Sequence, residues 1–239
     1  MSYKKDYVSF SALKQFSISP NHYIEYVTGK APDTDAFRFG RAVHAYILEP
    51  DVFKKEFAVA PDVDRRYKAG KQAYKEFCDT HVGKQVVTAK QYQRIQSIAY
   101  QINELRPARE LLENTKRETR IRKQYRGVTC VGVIDAHTDS YALDLKTTRF
   151  ANAGAMHNTI YKYSYHVQAY LYTQLAEVDR FYWIAAEKES PFEIGVYLAS
   201  DETLDFGKKL LDEWIDAYKE WDGMPLSYSN DEDTIVYDG

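Results

Sequence analysis

Three charged residues interrupt two otherwise apolar segments: Asp135, Asp144 and Lys146. Carboxylates bind divalent cations, and the lysine stands beside them. Asp144 and Lys146 are two residues apart, so on a strand they point to one face. Cys130, Val131, Val133 and Ile134 form the first apolar run, and Tyr141, Ala142, Leu143 and Leu145 the second. Thr138-Asp-Ser140 between them is turn chemistry, so the pair reads as a β-hairpin. A hairpin symmetric about the Asp139–Ser140 bond puts Asp135 opposite Asp144, with Cβ atoms about 5 Å apart. Two like charges that close repel, and each loses hydration as it is buried. A divalent cation removes both objections, so a metal site with a lysine beside it is one reading. The other is a set of solvated hairpin charges, because Asp-x-Lys also arises by chance. The hairpin alone does not choose.

The elements that must position these groups follow from local signals. Ser9 caps a short helix, and Ser19-Pro20 opens a second that ends at Gly29. The pattern predicts a third helix over 34–48, closed by Glu49-Pro50, with Phe39, Val43, Tyr46 and Ile47 on one side. His44 lies among these apolar residues and, taken alone, reads as a core histidine. Gly40 in the same helix costs about 1 kcal/mol relative to alanine, which predicts close approach of something, another backbone being one candidate. Phe57–Ala60 is a short strand. Residues 61–71 form a basic loop with Arg65, Arg66, Lys68 and Lys71, leading into a helix near 72–80. Thr88 and Gln91 match a capping box at the start of a helix with Tyr92, Ile95, Ile98 and Ile102 at helical spacing, stopped before Pro107. Residues 118–125 read as a strand, 151–157 as a short link, 161–176 as a helix, 180–186 and 192–198 as strands, and 201–221 as a last amphipathic helix. The acidic tail from Asn230 is expected to fray.

This order predicts an α/β fold: a mixed central β-sheet flanked by helices, with a helical N-terminal region forming a lobe over the sheet. At 239 residues, with no repeat and no long linker, the chain reads as one domain. Its parts are a mostly helical 1–112, a core over 113–200, and a C-terminal helix with acidic tail over 201–239. No apolar run approaches a membrane span and Met-Ser-Tyr-Lys-Lys-Asp lacks a signal-peptide apolar region, so a cytoplasmic location is expected. The two cysteines, Cys78 and Cys130, are too few for a disulfide framework, a four-cysteine zinc site or an iron–sulfur cluster.

The net charge of −3 is unevenly spread. Residues 65–94 carry eight Lys/Arg against two acids and residues 116–126 six against one, while residues 201–239 carry twelve acids against three bases. Basic charge before a carboxylate site suits a polyanionic substrate, although solvated helix faces account equally for any single lysine.

Taken together, these residues resemble the PD-(D/E)xK nuclease superfamily, whose core carries an acid on its second strand and Asp-x-Lys on its third. Here those are Asp135 and Asp144-Leu-Lys146. Within that superfamily the chain resembles the RecE-like branch of phage and prophage 5′-to-3′ double-strand DNA exonucleases. Phe39-Gly-Arg-Ala-Val-His44 followed by Leu48-Glu-Pro50 looks like its histidine helix. Asp64-Arg-Arg-Tyr-Lys-Ala-Gly-Lys71 looks like its basic segment, with Tyr67 where threonine is expected. Glu118 stands where the branch has an acid on its first core strand, and Gln168-Ala-Tyr-Leu-Tyr172 fits its Gln-x-x-x-Tyr helix. Gly132-Val-Ile-Asp135 replaces the Arg-Pro-Asp of many relatives but keeps the acid. The resemblance spans about residues 9–198.

The resemblance implies Mg²⁺ held by His44, Asp135, Asp144 and the Leu145 carbonyl, with Mn²⁺ as a substitute. It makes Lys146 the group acting on the attacking water, and gives Glu118 a water-mediated role at a second metal. Gln168 then hydrogen-bonds a phosphate with Tyr172 as its packing support, and Thr147, Thr148, Arg41, Arg65, Arg66 and Lys71 contact DNA. It further implies action on double-stranded DNA ends leaving 3′ tails, a ring-shaped homo-oligomer, a single-strand annealing recombinase as partner, and a phage- or prophage-encoded protein of the bacterial cytoplasm. Two alternatives stand beside this: a cluster-free nuclease of the helicase-linked or CRISPR-adaptation type, and a DNA-binding module that has lost catalysis.

Overall fold

The computed structural model describes residues 2–29 and 34–226, so the acidic tail lies outside the described residues. A sheet of six strands organises the chain: β1 (Val8–Ser9), β4 (Lys116–Tyr125), β5 (Val128–His137), β6 (Tyr141–Thr148), β7 (Arg180–Glu187) and β8 (Ile194–Leu198). β5 pairs antiparallel with β4 along its length, and with β6 near the turn. β6 and β7 run parallel, β8 closes the far edge antiparallel, and β1 adds in parallel to β5. The sheet is therefore mixed, as the order of elements predicts. A parallel β6–β7 pair requires a crossover, which α8 (Ala153–Lys162) and α9 (Tyr165–Ala176) supply.

Alternate residues of the central strands feed two separate cores, because successive strand side chains point to opposite faces. Ala142, Phe181, Trp183 and Ala185 face one core with Leu13, Phe16, Tyr23, Val167, Leu171, Leu211 and Ile215. This core brings together α1 (Phe10–Ile18), α2 (Pro20–Thr28), α9 and α10 (Asp201–Glu220). Leu143, Leu145, Ile184 and Ala186 face the other core with Phe39, Val43, Phe53, Ile95, Ile98 and Leu112. That core holds α3 (Asp35–Leu48), α4 (Pro50–Glu56), α6 (Ala89–Glu104) and α7 (Arg106–Leu112). The N-terminal helices are therefore not one lobe: α1 and α2 cover one face of the sheet, and α3, α4, α6 and α7 the other.

The local caps form as expected. Ser9, Ser19 and Thr34 side chains accept from the N–H groups of Ala12, His22 and Phe37, and the Thr88–Gln91 capping box is complete. Several boundaries move. Pro50 and Pro107 do not simply end helices; each sits in the first turn of a new one, α4 and α7, where proline's missing N–H has no cost. The basic loop is shorter than expected, since α5 (Lys68–Thr80) already contains Lys71. The link at 151–157 and the helix from 161 are in fact two helices, α8 and α9, broken at Ser164 in a left-handed conformation with φ 57°. β2 (Phe57–Val59) pairs with β3 (Gln85–Val87), a strand too short to show any periodicity.

Candidate active site

The hairpin holds the expected register where it is paired: Ala136 faces Leu143 and His137 faces Ala142. The next pair would be Asp135 with Asp144, and there the pairing stops. Instead the Asp135 carboxylate accepts the Leu145 N–H at 2.7 Å, so a side chain takes the place of a backbone carbonyl between the two strands. The two aspartates are not a paired cross-strand position, although the Asp144 charge still acts on Asp135. They lead into two adjoining clusters, joined by the Leu145 amide.

The first cluster surrounds Asp135. His44 Nδ1 on α3 lies 3.5 Å from Asp135 Oδ2 and 3.9 Å from Glu118 Oε1 on β4. One ligand atom from each of these three residues falls within 4.8 Å of the others. Glu118 reaches this position from a left-handed backbone, φ 46°, inside a strand. A non-glycine residue in that region costs of order 1–3 kcal/mol, and such strain collects at functional sites. Burial, then the nearby Asp144 charge, pushes the Asp135 carboxyl up to about 7. Burial works against a charged His44, but Asp135, Glu118 and Asp144 outweigh it and raise the imidazole to about 9. Two acids and one imidazole drawn together in a partly buried place, with the Asp144 charge nearby, are short of positive charge, which is what a divalent cation supplies. The donor set fits such an ion.

The second cluster surrounds Lys146. Its ammonium donates to Asp144 Oδ1 at 2.9 Å, lies 2.7 Å from Oδ2, and donates to Gln168 Oε1 at 3.2 Å. Gln168 Nε2 in turn donates to Asp144 Oδ1 at 3.0 Å. Burial opposes the ammonium charge, but Asp144 prevails and holds Lys146 above its ordinary value. Asp144, only 2 % exposed, is thus turned to Lys146 and Gln168, outside the His44–Glu118–Asp135 group. Leu145 is buried between Asp144 and Lys146, and pairs with Ile184 of β7.

The remaining expected residues are placed as follows. Tyr172, four residues after Gln168 on α9, is buried with its ring against Phe181 and Gly132. Gly132 is where a side chain would collide: a Cβ there would come within 2.8 Å of Tyr172 and Leu175. The absence of a side chain lets α9 lie on β5. Thr147 and Thr148 continue β6 past Lys146, and the Thr148 hydroxyl donates to the Phe150 carbonyl. Gly40 meets no backbone: its nearest neighbour is the Thr147 Oγ1, 3.7 Å from where a Cβ would stand. Arg41 is exposed on α3. Arg65, Arg66 and Lys71 are exposed too, but Arg65 covers the Tyr74 ring and Arg66 is held by Asp64 with contacts of 2.6–3.0 Å. Two site features escaped sequence reasoning. Tyr165 holds Lys146 Nζ 4.2 Å from its ring centroid, and Lys14 of α1 feels the Lys146 charge.

The chain matches the PDDEXK-like domain of unknown function (DUF3799) over residues 9–223. It belongs to that family. The central mixed sheet flanked by helices accords with a PDDEXK-like domain. Among solved structures, the chain is similar to a protein described as a candidate exonuclease from Eubacterium rectale. The TM-score is 0.62 at 11 % identity, covering 90 % of this chain and 80 % of that one. A phage-related exonuclease from Haemophilus somnus 129PT aligns at a TM-score of 0.37 and 13 % identity, covering 75 % and 92 % respectively. Curated proteins provide no sequence match. The expected superfamily is therefore the right one.

Proposed function

We propose that this PDDEXK-like protein is a metal-dependent exodeoxyribonuclease acting on linear double-stranded DNA from the 5′ end, leaving 3′ single-stranded tails for recombination by annealing. The observation that carries this reading is the convergence of His44, Glu118, Asp135, Asp144, Lys146 and Gln168, drawn from α3, β4, β5, β6 and α9, around the Leu145 amide. The resemblance to 5′-to-3′ exonucleases supplies the polarity and substrate, and the exonuclease description of the similar Eubacterium rectale structure is compatible with nuclease activity.

His44, Glu118 and Asp135 would hold Mg²⁺ or Mn²⁺, with the Leu145 carbonyl, and Asp144 would join the set by turning an oxygen away from Lys146. A bound divalent ion supplies a Lewis acid for the scissile phosphate and acidifies a water. Lys146 gives an ammonium that orients the attacking water and offsets phosphate charge, and its raised pKa favours that role over proton removal. Gln168 holds Asp144 and Lys146 in register and can turn its amide N–H to a phosphate oxygen. Tyr172 fixes the α9 face on which Gln168 stands. The exposed Arg41, Arg65, Arg66 and Lys71, with Thr147 and Thr148, contact the DNA backbone. A ring-shaped homo-oligomer and an annealing recombinase as partner complete the proposal, in a phage- or prophage-derived setting within the bacterial cytoplasm. Among the described residues no helix is long and apolar enough to cross a membrane.

The test is digestion of end-labelled linear duplex with Mg²⁺ or Mn²⁺. Wild type releases label from the 5′ ends, and Asp144→Ala slows this about a hundredfold or more. Equal rates would remove Asp144 from the chemistry, efficient cutting of closed circles would point to an endonuclease, and binding without cleavage by wild type to a DNA-binding module.

A further inference from the structure

Beside Lys146 the chain builds a row of alternating rings and ammonium groups. Lys146 Nζ stands 4.2 Å from the Tyr165 ring centroid. The Tyr165 and Tyr163 centroids are 5.7 Å apart, tilted by 31°. Lys14 Nζ lies 5.2 Å from the Tyr163 centroid and Lys162 Nζ 5.5 Å. The left-handed Ser164 makes this row, by turning the chain sharply between the two tyrosines where α8 meets α9. Tyr163 is 41 % exposed, so one end of the row is open to solvent.

Tyr165 packs against the core of that face, whereas Tyr163 is exposed and takes no part in it. Lys14 projects from α1 in a different part of the sequence and shows no ion pair among the described residues, yet it is not fully solvated. Burial, then the Lys146 charge, lowers its pKa. An anion at Lys14, 5.2 Å from the Tyr163 centroid, would give that ammonium the ion pair it lacks among the described residues. Rings offering a π-face next to such an anion site match a nucleotide, with one phosphate and one flat base per unit.

We propose that Tyr163, backed by Tyr165 and flanked by Lys14 and Lys162, forms a shelf that receives an unpaired nucleotide of the strand being cut, its base stacked on Tyr163 and its phosphate on Lys14. The inference rests on the nuclease reading and names the form in which substrate reaches Lys146: unpaired, with its bases open. Shelf residues therefore determine which strand, and which state of that strand, is engaged.

Binding in EDTA tests the shelf without any cleavage. The probe is a labelled single-stranded oligonucleotide, compared with an abasic oligomer of equal length and charge, by fluorescence anisotropy. Wild type prefers the base-bearing strand by about tenfold. Tyr163→Ala abolishes the preference while Tyr163→Phe retains it, because stacking needs the ring and not the hydroxyl. Lys14→Ala weakens both probes alike and flattens the salt dependence by about 0.7 in the logarithmic slope. A Tyr163→Ala protein that keeps the wild-type preference, or a wild type that binds both probes equally, overturns the shelf. The nuclease reading fails separately, if wild type leaves linear DNA uncut in Mg²⁺ and Mn²⁺.

Discussion

Lys146 and His44 show how far the site depends on neighbours rather than on residue type. Lys146 is charged although half-buried, because Asp144 lies against it and Gln168 holds them both. His44 looks like a core histidine from its own helix, yet its Nδ1 faces two carboxylates. Its imidazole is raised to about 9 from an ordinary 6.5. A raised base stabilises the fold in full below the unfolded value and loses that contribution as pH rises through the folded one. The metal-free protein should therefore lose thermal stability between pH 6.5 and 9, and His44→Gln should flatten that fall when Tm is followed against pH. Asp135, pushed up to about 7, adds a second expectation. A ligand must shed its proton before it coordinates, so Mn²⁺ affinity measured by calorimetry should rise from pH 6 to pH 8. An affinity that stays level across this range would count against Asp135 as a ligand.

At the scale of elements, the hairpin and the helix behind it are the critical pair. β5 and β6 pair only near their turn and then part, with Asp135 bridging to the Leu145 amide. That opening is what lets β4 and α3 deliver Glu118 and His44 to the same point. On the other face α9 lies directly on Gly132, and so carries Gln168 to Asp144. Gly132→Ala would put a Cβ 2.8 Å from Tyr172 and Leu175. Overpacking of this kind costs about 1–3 kcal/mol, so urea unfolding should show a loss of that size. Activity should fall with it, because lifting α9 withdraws Gln168. Unchanged stability would mean that the two side chains step aside freely.

Across the whole molecule, two cores on opposite faces of one sheet clamp the site from both sides. Arg117 on β4 donates to the Ile47 and Leu48 carbonyls of α3 and to Leu112 of α7, tying the histidine helix to the strand of Glu118. Arg94 of α6 reaches the Lys188 carbonyl and pairs with Glu189 beyond β7, fastening that helix layer to the sheet. The charge asymmetry then acts at long range. The exposed basic segment at 65–71 is partly neutralised by Asp64, which grips Arg66. If that segment contacts phosphates, Arg66→Ala should weaken DNA binding and flatten its salt slope, whereas Asp64→Asn should strengthen binding by releasing the guanidinium. Identical salt slopes for both variants and wild type would leave the segment as plain surface.

Much of this was open to a reader of the sequence, because the signals are local. The split hairpin's register, the capping box at Thr88, and the helix starts at Ser9, Ser19 and Thr34 each depend on residues within a few positions of one another. Asp144 and Lys146 share a face through the strand repeat alone. What tertiary structure decided is everything that needs two distant segments to meet. That includes His44 with Glu118 and Asp135, Gln168 with Asp144, and Lys14 beside the Tyr163–Tyr165 row. It also includes the separation of α1 and α2 from the later helices, since an amphipathic helix specifies that one side is buried but not which face of a sheet will bury it. The break at Ser164 carries no glycine to announce it, and β1 and β3 are too short for a period of two to register. Residue types and spacing thus put two carboxylates and a lysine on one hairpin and left a cation site and solvated charges both open, while the groups that meet them were set by packing across the sheet, where sequence distance has no bearing on distance in space.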